Sequence, residues 1–205
     1  MAGLFLREEK GDRGVNNYQI REMQKKIGVE ADGFWGPKSI AACKAHLRKL
    51  MPTPNPWPEP DQESLRAFYG KPGDETNLVT FHPPFGMNYG PAPVRVIRCH
   101  KKVAESLERV LTKLGLNYGT QAKIMEPVKD YSGCYNYRVK RGGSSWSLHA
   151  WGAAIDLDAD DNTFRDAWPV KADMPLEVME EFALEGWKSA GAFWGYDAMH
   201  FEATQ

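Results

Sequence analysis

Residues Ser147–Asp156 read SLHAWGAAID, a small and apolar run that carries a histidine at 149 and an aspartate at 156. In a single helix the two Cα atoms would stand about 10.5 Å apart at 1.5 Å rise per residue. Short side chains holding one ion at about 2 Å hardly span that. On one uninterrupted strand an odd separation sends them to opposite faces. A turn near Ala150–Gly152, with the next strand running back beside the histidine, brings both to one point. Gly152 supplies the backbone freedom and close approach that such a bend needs, and Ala153 and Ala154 are small enough to lie beneath it.

Working outward, the segments around 121–125, 134–140, 153–157 and 198–203 read as strands. Helices are expected at 61–69, along VIRCHKKVAESLERVLTKLG, and along PLEVMEEFALEGWKSAG. In the second of these, Val96, Val103, Leu107, Val110, Leu111 and Leu114 recur at three and four residues, with Gly115 as the stop. Helices and strands are segregated without βαβ alternation, which predicts an α+β domain on an antiparallel sheet over 61–205.

Before it, MPTPNPWPEP places prolines at 52, 54, 56, 58 and 60. This spacing precludes helix and favours extended, stiff backbone, so residues 51–60 read as a linker. Residues 1–50 read as a small all-α module: apolar positions at Val15, Ile20, Met23 and Ile27, the turn ADGFWGPKS, then a second helical pattern from Ile40 to Leu50.

Composition narrows the classes. At 42% hydrophobic and 12% aromatic content, the 205 residues can bury a core. Residues 1–50 carry 10 Lys+Arg against 6 Asp+Glu, and 51–205 carry 16 against 21, so neither half has the basic stripe of a nucleic-acid binder. Three cysteines, Cys43, Cys99 and Cys134, are an odd number at no metal-ligand spacing and read as inert thiols. The opening MAGLFLREEKGDRG has too few apolar residues for a secretory leader. Of five histidines, His46, His82 and His100 read as surface or satisfied core residues. DLDADDN imitates the start of a calcium loop but has Asp161 and Ala167 where glycine and glutamate are needed.

Two resemblances add to this reading. Gln24 with Asp32-Gly33-Phe34-Trp35-Gly36-Pro37-Lys38-Ser39 resembles the Q…DGxxGPxT signature of three-helix peptidoglycan-binding domains, with Ser39 at the usual threonine. It implies that the module anchors to the wall, with Trp35 and Phe34 offering a stacking face. SLHAWGAAID matches SxHxxGxAxD at Ser147, His149, Gly152, Ala154 and Asp156, and FWGYDAMHFE supplies Trp194, Asp197 and His200. This pair is similar to the VanY-like D-Ala-D-Ala carboxypeptidase group of zinc peptidases, which includes phage L-alanyl-D-glutamate endopeptidases.

That resemblance implies Zn²⁺ held by His149, Asp156 and His200 with a fourth position for water, as in catalytic zinc sites. Asp197 is then the general base, with Glu202 as the alternative. Arg138, preferred over Arg141, holds substrate and the charge of the tetrahedral intermediate. Ser147 either orients a ligand or caps a turn. The expected protein is a monomeric phage endolysin that cleaves peptidoglycan stem peptides, waits in the host cytoplasm for a pore to the cell wall, and binds neither nucleic acid nor membrane. The rivals are a D-Ala-D-Ala carboxypeptidase and a non-catalytic wall-binding module.

Overall fold

The computed structural model describes residues 14–205, so the opening segment read for a leader lies outside the described residues. In chain order the elements are α1 (Asn17–Lys26), α2 (Pro37–Leu50), α3 (Gln62–Tyr69), β1 (Leu78–Phe81), β2 (Asn88–Tyr89), β3 (Ala92–Pro93), β4 (Ile97–His100), α4 (Ala104–Tyr118), α5 (Ala122–Lys129), β5 (Tyr131–Gly133), β6 (Ala154–Leu157), α6 (Leu176–Leu184), β7 (Lys188–Ser189), α7 (Ala190–Trp194) and β8 (His200–Glu202). This is an α+β architecture. Its main sheet is antiparallel in the order β5-β6-β8-β7, with two small hairpin sheets, β1-β4 and β2-β3.

Local chemistry explains the helix starts. Asn16 caps α1 in a reciprocal box with Gln19, Pro37 opens α2 at its first turn, and Asp61 accepts from the backbone N–H groups of Glu63 and Ser64 to open α3. The α4 stripe Leu107, Val110, Leu111 and Leu114 is fully buried. Helices α4, α5 and α6 pack on one another, with α5 and α6 against the main sheet, where Phe182 stacks on Phe201 at 4.0 Å.

Five expectations are corrected. The helix expected along PLEVMEEFALEGWKSAG ends at Leu184, and Lys188–Ser189 within that stretch is the strand β7. The long helix begins at Ala104, because Ile97–His100 is a strand paired with β1 that buries Ile97 and Cys99 on alternate positions. It also runs through Gly115 to Tyr118, so Gly115 is not its stop. Residues 122–125 are helical, with Gln121 as their N-cap: Met125 and Val128, three apart, face the core, a period that so short an apolar run does not reveal. Residues 134–140 form an arm rather than a ladder strand, held by the single bridge Val139–Trp146 and by Asn136 N–H donating to the His149 carbonyl at 2.9 Å.

Among the described residues the N-terminal segment holds two helices, and it is docked on the rest of the chain. Lys26 reaches Glu177 and Glu180 at 3.0 and 2.6 Å, His46 meets Glu180 at 2.7 Å, and Trp35 packs edge-on against Trp168. The proline-rich segment likewise lies against the body. Trp57 is buried, its indole N–H donates to the Glu185 carbonyl at 2.8 Å, and the Asn55 amide donates to the Gly186 carbonyl at 3.0 Å. No helix among the described residues is long and apolar enough to cross a membrane.

Candidate metal centre

The turn that the spacing of His149 and Asp156 demanded is a short 3-10 helix, Leu148–Trp151. Ser147 caps it, its hydroxyl accepting from the His149 N–H at 3.4 Å, which settles the two readings of Ser147 in favour of the cap. Gly152 ends it in the left-handed region at φ 68°, and a Cβ there would stand 2.9 Å from the His100 backbone nitrogen, so both backbone freedom and bareness are needed. The chain then enters β6, whose Asp156 lies directly opposite His200 in the β6–β8 register. Facing residues on antiparallel strands have Cβ atoms about 5 Å apart, which brings the carboxylate to the imidazole.

The donor atoms converge. Asp156 Oδ1 lies 2.9 Å from His200 Nδ1 and 3.2 Å from His149 Nε2, and the two ring nitrogens are 3.1 Å apart. Each histidine is fixed by its other nitrogen. His149 Nδ1 meets the Cys134 carbonyl at 2.7 Å, and a carbonyl only accepts, so that nitrogen carries the hydrogen and Nε2 presents its lone pair. His200 Nε2 faces Glu202 Oε2 at 3.3 Å, and the other Glu202 oxygen accepts from the Thr204 hydroxyl at 2.7 Å, so His200 presents Nδ1. Two imidazole lone pairs and a carboxylate oxygen therefore share one buried point. Around an ion with bonds of about 2.0–2.1 Å, neighbouring tetrahedral ligands stand roughly 3.3 Å apart. The donor set and its spacing fit a divalent metal such as zinc, and these three residues could hold one.

Electrostatics agree. For Asp156, burial opposes ionisation, but the charges and hydrogen bonds of His149 and His200 outweigh it and hold the carboxyl well below its usual range. For His200, burial disfavours the charged ring, yet Asp156 and Glu202 raise it to about 10. The cluster is thus built to hold positive charge: a proton on His200 Nδ1 shared with Asp156, which a metal ion would displace to use the lone pair.

Asp197 sits at the edge of this field. Its carbonyl accepts from the His200 N–H at 3.0 Å in the turn into β8, and its backbone is in the left-handed region at φ 59°, which aspartate tolerates better than most residues. Burial pushes its carboxyl up to about 6; His200 pulls it down, Asp156 pushes it up, and His149 and Arg141 pull it down further. A carboxyl poised there can take and return a proton near neutrality.

The two candidate arginines part company. Arg138 lines a cavity of about 290 Å³ together with His149, Asp156, Tyr89, Tyr131 and Asn136. Arg141 is exposed, lies 5.8 Å over the Phe164 ring, and acts on Asp197 through its charge. Glu202, the alternative base, occupies the nitrogen of His200 that faces away from the cluster, and so positions that ring. Trp151 is core, its indole N–H donating to the Gly70 carbonyl, whereas Trp194 is 40% exposed and stacks on His200 at 5.7 Å.

Sequence reasoning missed the Cys134 carbonyl, Thr204, Tyr89 and Tyr131. For Glu202's positioning role a signal existed: in HFE, residues 200 and 202 fall on one face of a strand. Cys134 is buried with its thiol pushed well above the ordinary value by desolvation, which leaves it no role as a nucleophile.

A family model described as D-alanyl-D-alanine carboxypeptidase matches residues 141–203, under a third of the chain but spanning all three donors and Asp197. No curated protein and no solved structure matches. The family match and the His149–Asp156–His200 cluster together support a metallopeptidase.

Proposed function

We propose that this chain is a zinc-dependent peptidoglycan hydrolase that cuts the stem peptide, acting as an L-alanyl-D-glutamate endopeptidase in the manner of a phage endolysin, with residues 14–50 as part of a wall-binding module. The observation that carries the reading is the convergence of three fixed donors beside Asp197. Structural zinc sites are usually closed by four protein ligands, whereas a catalytic one keeps a position open. Zinc held there would supply Lewis acidity, lowering the pKa of water and polarising a carbonyl.

The chain's own residues do the rest. Asp197 takes the proton from the attacking water and delivers it to the leaving amine. Arg138, in the cavity with His149 and Asp156, holds the substrate and offsets charge developing on the carbonyl oxygen. Glu202 and the Cys134 carbonyl hold both imidazoles with the nitrogens that would take the metal turned toward Asp156.

The description of the matching family favours a second reading, removal of a terminal D-Ala. Digestion of purified peptidoglycan by the zinc-loaded protein and by His149→Ala, with fragments identified by mass spectrometry, separates the two. New L-Ala and D-Glu termini are expected. Loss of terminal D-Ala alone would transfer the assignment to a carboxypeptidase, and absence of zinc-dependent cleavage would reject both.

A further inference from the structure

All seven tryptophans lie within the described residues, and six are buried or partly buried; Trp194 is the exposed one. It begins a chain of rings leading away from the metal cluster. Trp194 stacks on His200 at 5.7 Å, Tyr196 lies 6.2 Å from Trp194, Phe164 lies 5.9 Å from Tyr196, and the Arg141 guanidinium covers Phe164 at 5.8 Å. Tyr196 is 43% exposed. The strip is held in place by backbone pairing: Ala167 bridges Tyr196, and the Trp168 N–H donates to the Gly195 carbonyl at 3.1 Å. None of these rings lines the cavity that holds Arg138.

Trp194 and Tyr196 are exposed side by side with Phe164 half-buried next to them, and adjoining exposed aromatic faces mark a place where something binds. Resting on the peptidase reading above, we propose that Trp194, Tyr196 and Phe164, with Arg141 at their far end, form a saccharide platform that holds an amino-sugar ring of the glycan strand while the peptide attached to it lies at the metal centre. The chemistry selects the occupant. The alanine and glutamate flanking the proposed scissile bond have no large apolar group to cover such a strip. A pyranose ring has a flat C–H face for stacking on aromatic rings, and a polar rim that the donors of Arg141 satisfy.

Reach bears on the bond. At up to about 3.6 Å per extended residue, a bond one residue from the sugar leaves the ring about 11 Å nearer the scissile carbonyl than a bond four residues away. Trp194 is the first ring out from His200 at 5.7 Å, with Tyr196 a further 6.2 Å from it, so a platform that starts beside the centre suits the glycan-proximal bond.

Two measurements on the full, zinc-loaded chain test this. In the first, kcat/KM is compared for a disaccharide-linked stem peptide and for the same peptide with its N-terminus acylated but sugar-free. The wild type should prefer the disaccharide substrate through KM. Tyr196→Ser and Phe164→Ser should each raise that KM about tenfold, the scale of one stacking contact, and leave the sugar-free peptide unchanged. Equal use of both substrates by the wild type, or equal damage to both by the variants, overturns the platform. In the second, a peptide-free N-acetylglucosamine oligomer is titrated while tryptophan fluorescence is read. Saturable quenching that is lost in Tyr196→Ser supports the platform, and wild-type protein that fails to respond, or a variant that responds equally, overturns it. Failure to cleave either peptide counts against the peptidase reading, and the titration then decides the platform independently.

Discussion

Two of the buried polar constellations among the described residues differ in one respect. In the N-terminal segment the Gln24 amide nitrogen lies 2.7 Å from Asp32 Oδ1, 3.0 Å from the Phe34 carbonyl and 3.0 Å from Ser39 Oγ, while Gly33 N–H donates to Gln24 Oε1 at 2.9 Å. Donors meet acceptors and the set closes on itself. At the metal centre, His149 Nε2, His200 Nδ1 and Asp156 Oδ1 point at one another, and each histidine hydrogen is already committed elsewhere. With His200 neutral, acceptors meet acceptors, so that set is completed by a positive charge: a proton on His200 Nδ1, or a metal ion in its place. Motif spacing flags both clusters equally; what separates scaffold from site is whether hydrogen-bond donors and acceptors balance.

The largest effect should come from breaking the centre's chemistry while leaving its charge trap. Asp197→Asn is expected to lower kcat by about 10² to 10⁴, the range for loss of a positioned acid–base group, while zinc binding, read by competition with a chromophoric chelator, persists. Loss of zinc together with activity would make Asp197 part of the metal set. Removal of zinc by chelation should abolish cleavage, and re-addition should restore it.

Next comes the carboxylate behind His200. Glu202→Ala should weaken zinc affinity about 10- to 100-fold, as removal of such supporting partners does, and Glu202→Gln, which keeps an acceptor but not the charge, should fall between it and the wild type. If Glu202 were instead the base, both variants would lose turnover with zinc affinity unchanged.

The closed constellation should respond in the opposite way. Gln24→Ala strands the Gly33 N–H and removes one of the two donors, with the Phe34 N–H, that fix the Asp32 carboxylate, at a cost of about 1–3 kcal/mol. Urea denaturation should register that loss, and zinc affinity should not move. A variant that changed zinc binding would mean the two constellations are coupled through the docked α2–α6 contact.

What the sequence made legible follows the same division. The bend at Gly152 and the return strand were readable because two regular alternatives could be eliminated on distance and parity alone. The strand at 97–100 and the helix at 122–129 were not, because their periods are too short to outvote neighbours and are set by packing on β1 and α4. Of the two aromatics in the N-terminal turn, Trp35 packs on Trp168 and Phe34 is exposed, a division that depends on a surface more than 130 residues away. Tyr89 and Tyr131 reach the cavity through a hairpin contact for which local sequence carries no signal.

The smallest effect belongs to a third buried histidine, His100, whose hydrogen bonds close on themselves as those of Gln24 do. His100 donates from Nε2 to the Tyr69 carbonyl at 3.0 Å, and its Nδ1 accepts from the Lys102 N–H at 3.1 Å, so the neutral ring uses both nitrogens. Burial, which the Tyr69 carbonyl partly offsets and Lys102 and Lys101 reinforce, lowers its pKa below 6.5. The unfolded chain therefore binds a proton as pH falls through 6.5 while the folded chain does not. Folding stability drops over that window, then levels once pH passes the depressed folded value. One proton limits the slope to about 1.4 kcal/mol per pH unit. Denaturation midpoints measured on metal-free protein from pH 7.5 to 5 should fall more steeply for the wild type than for His100→Gln. Equal slopes would mean that His100 takes up its proton as readily folded as unfolded, and that its two hydrogen bonds do not hold it neutral.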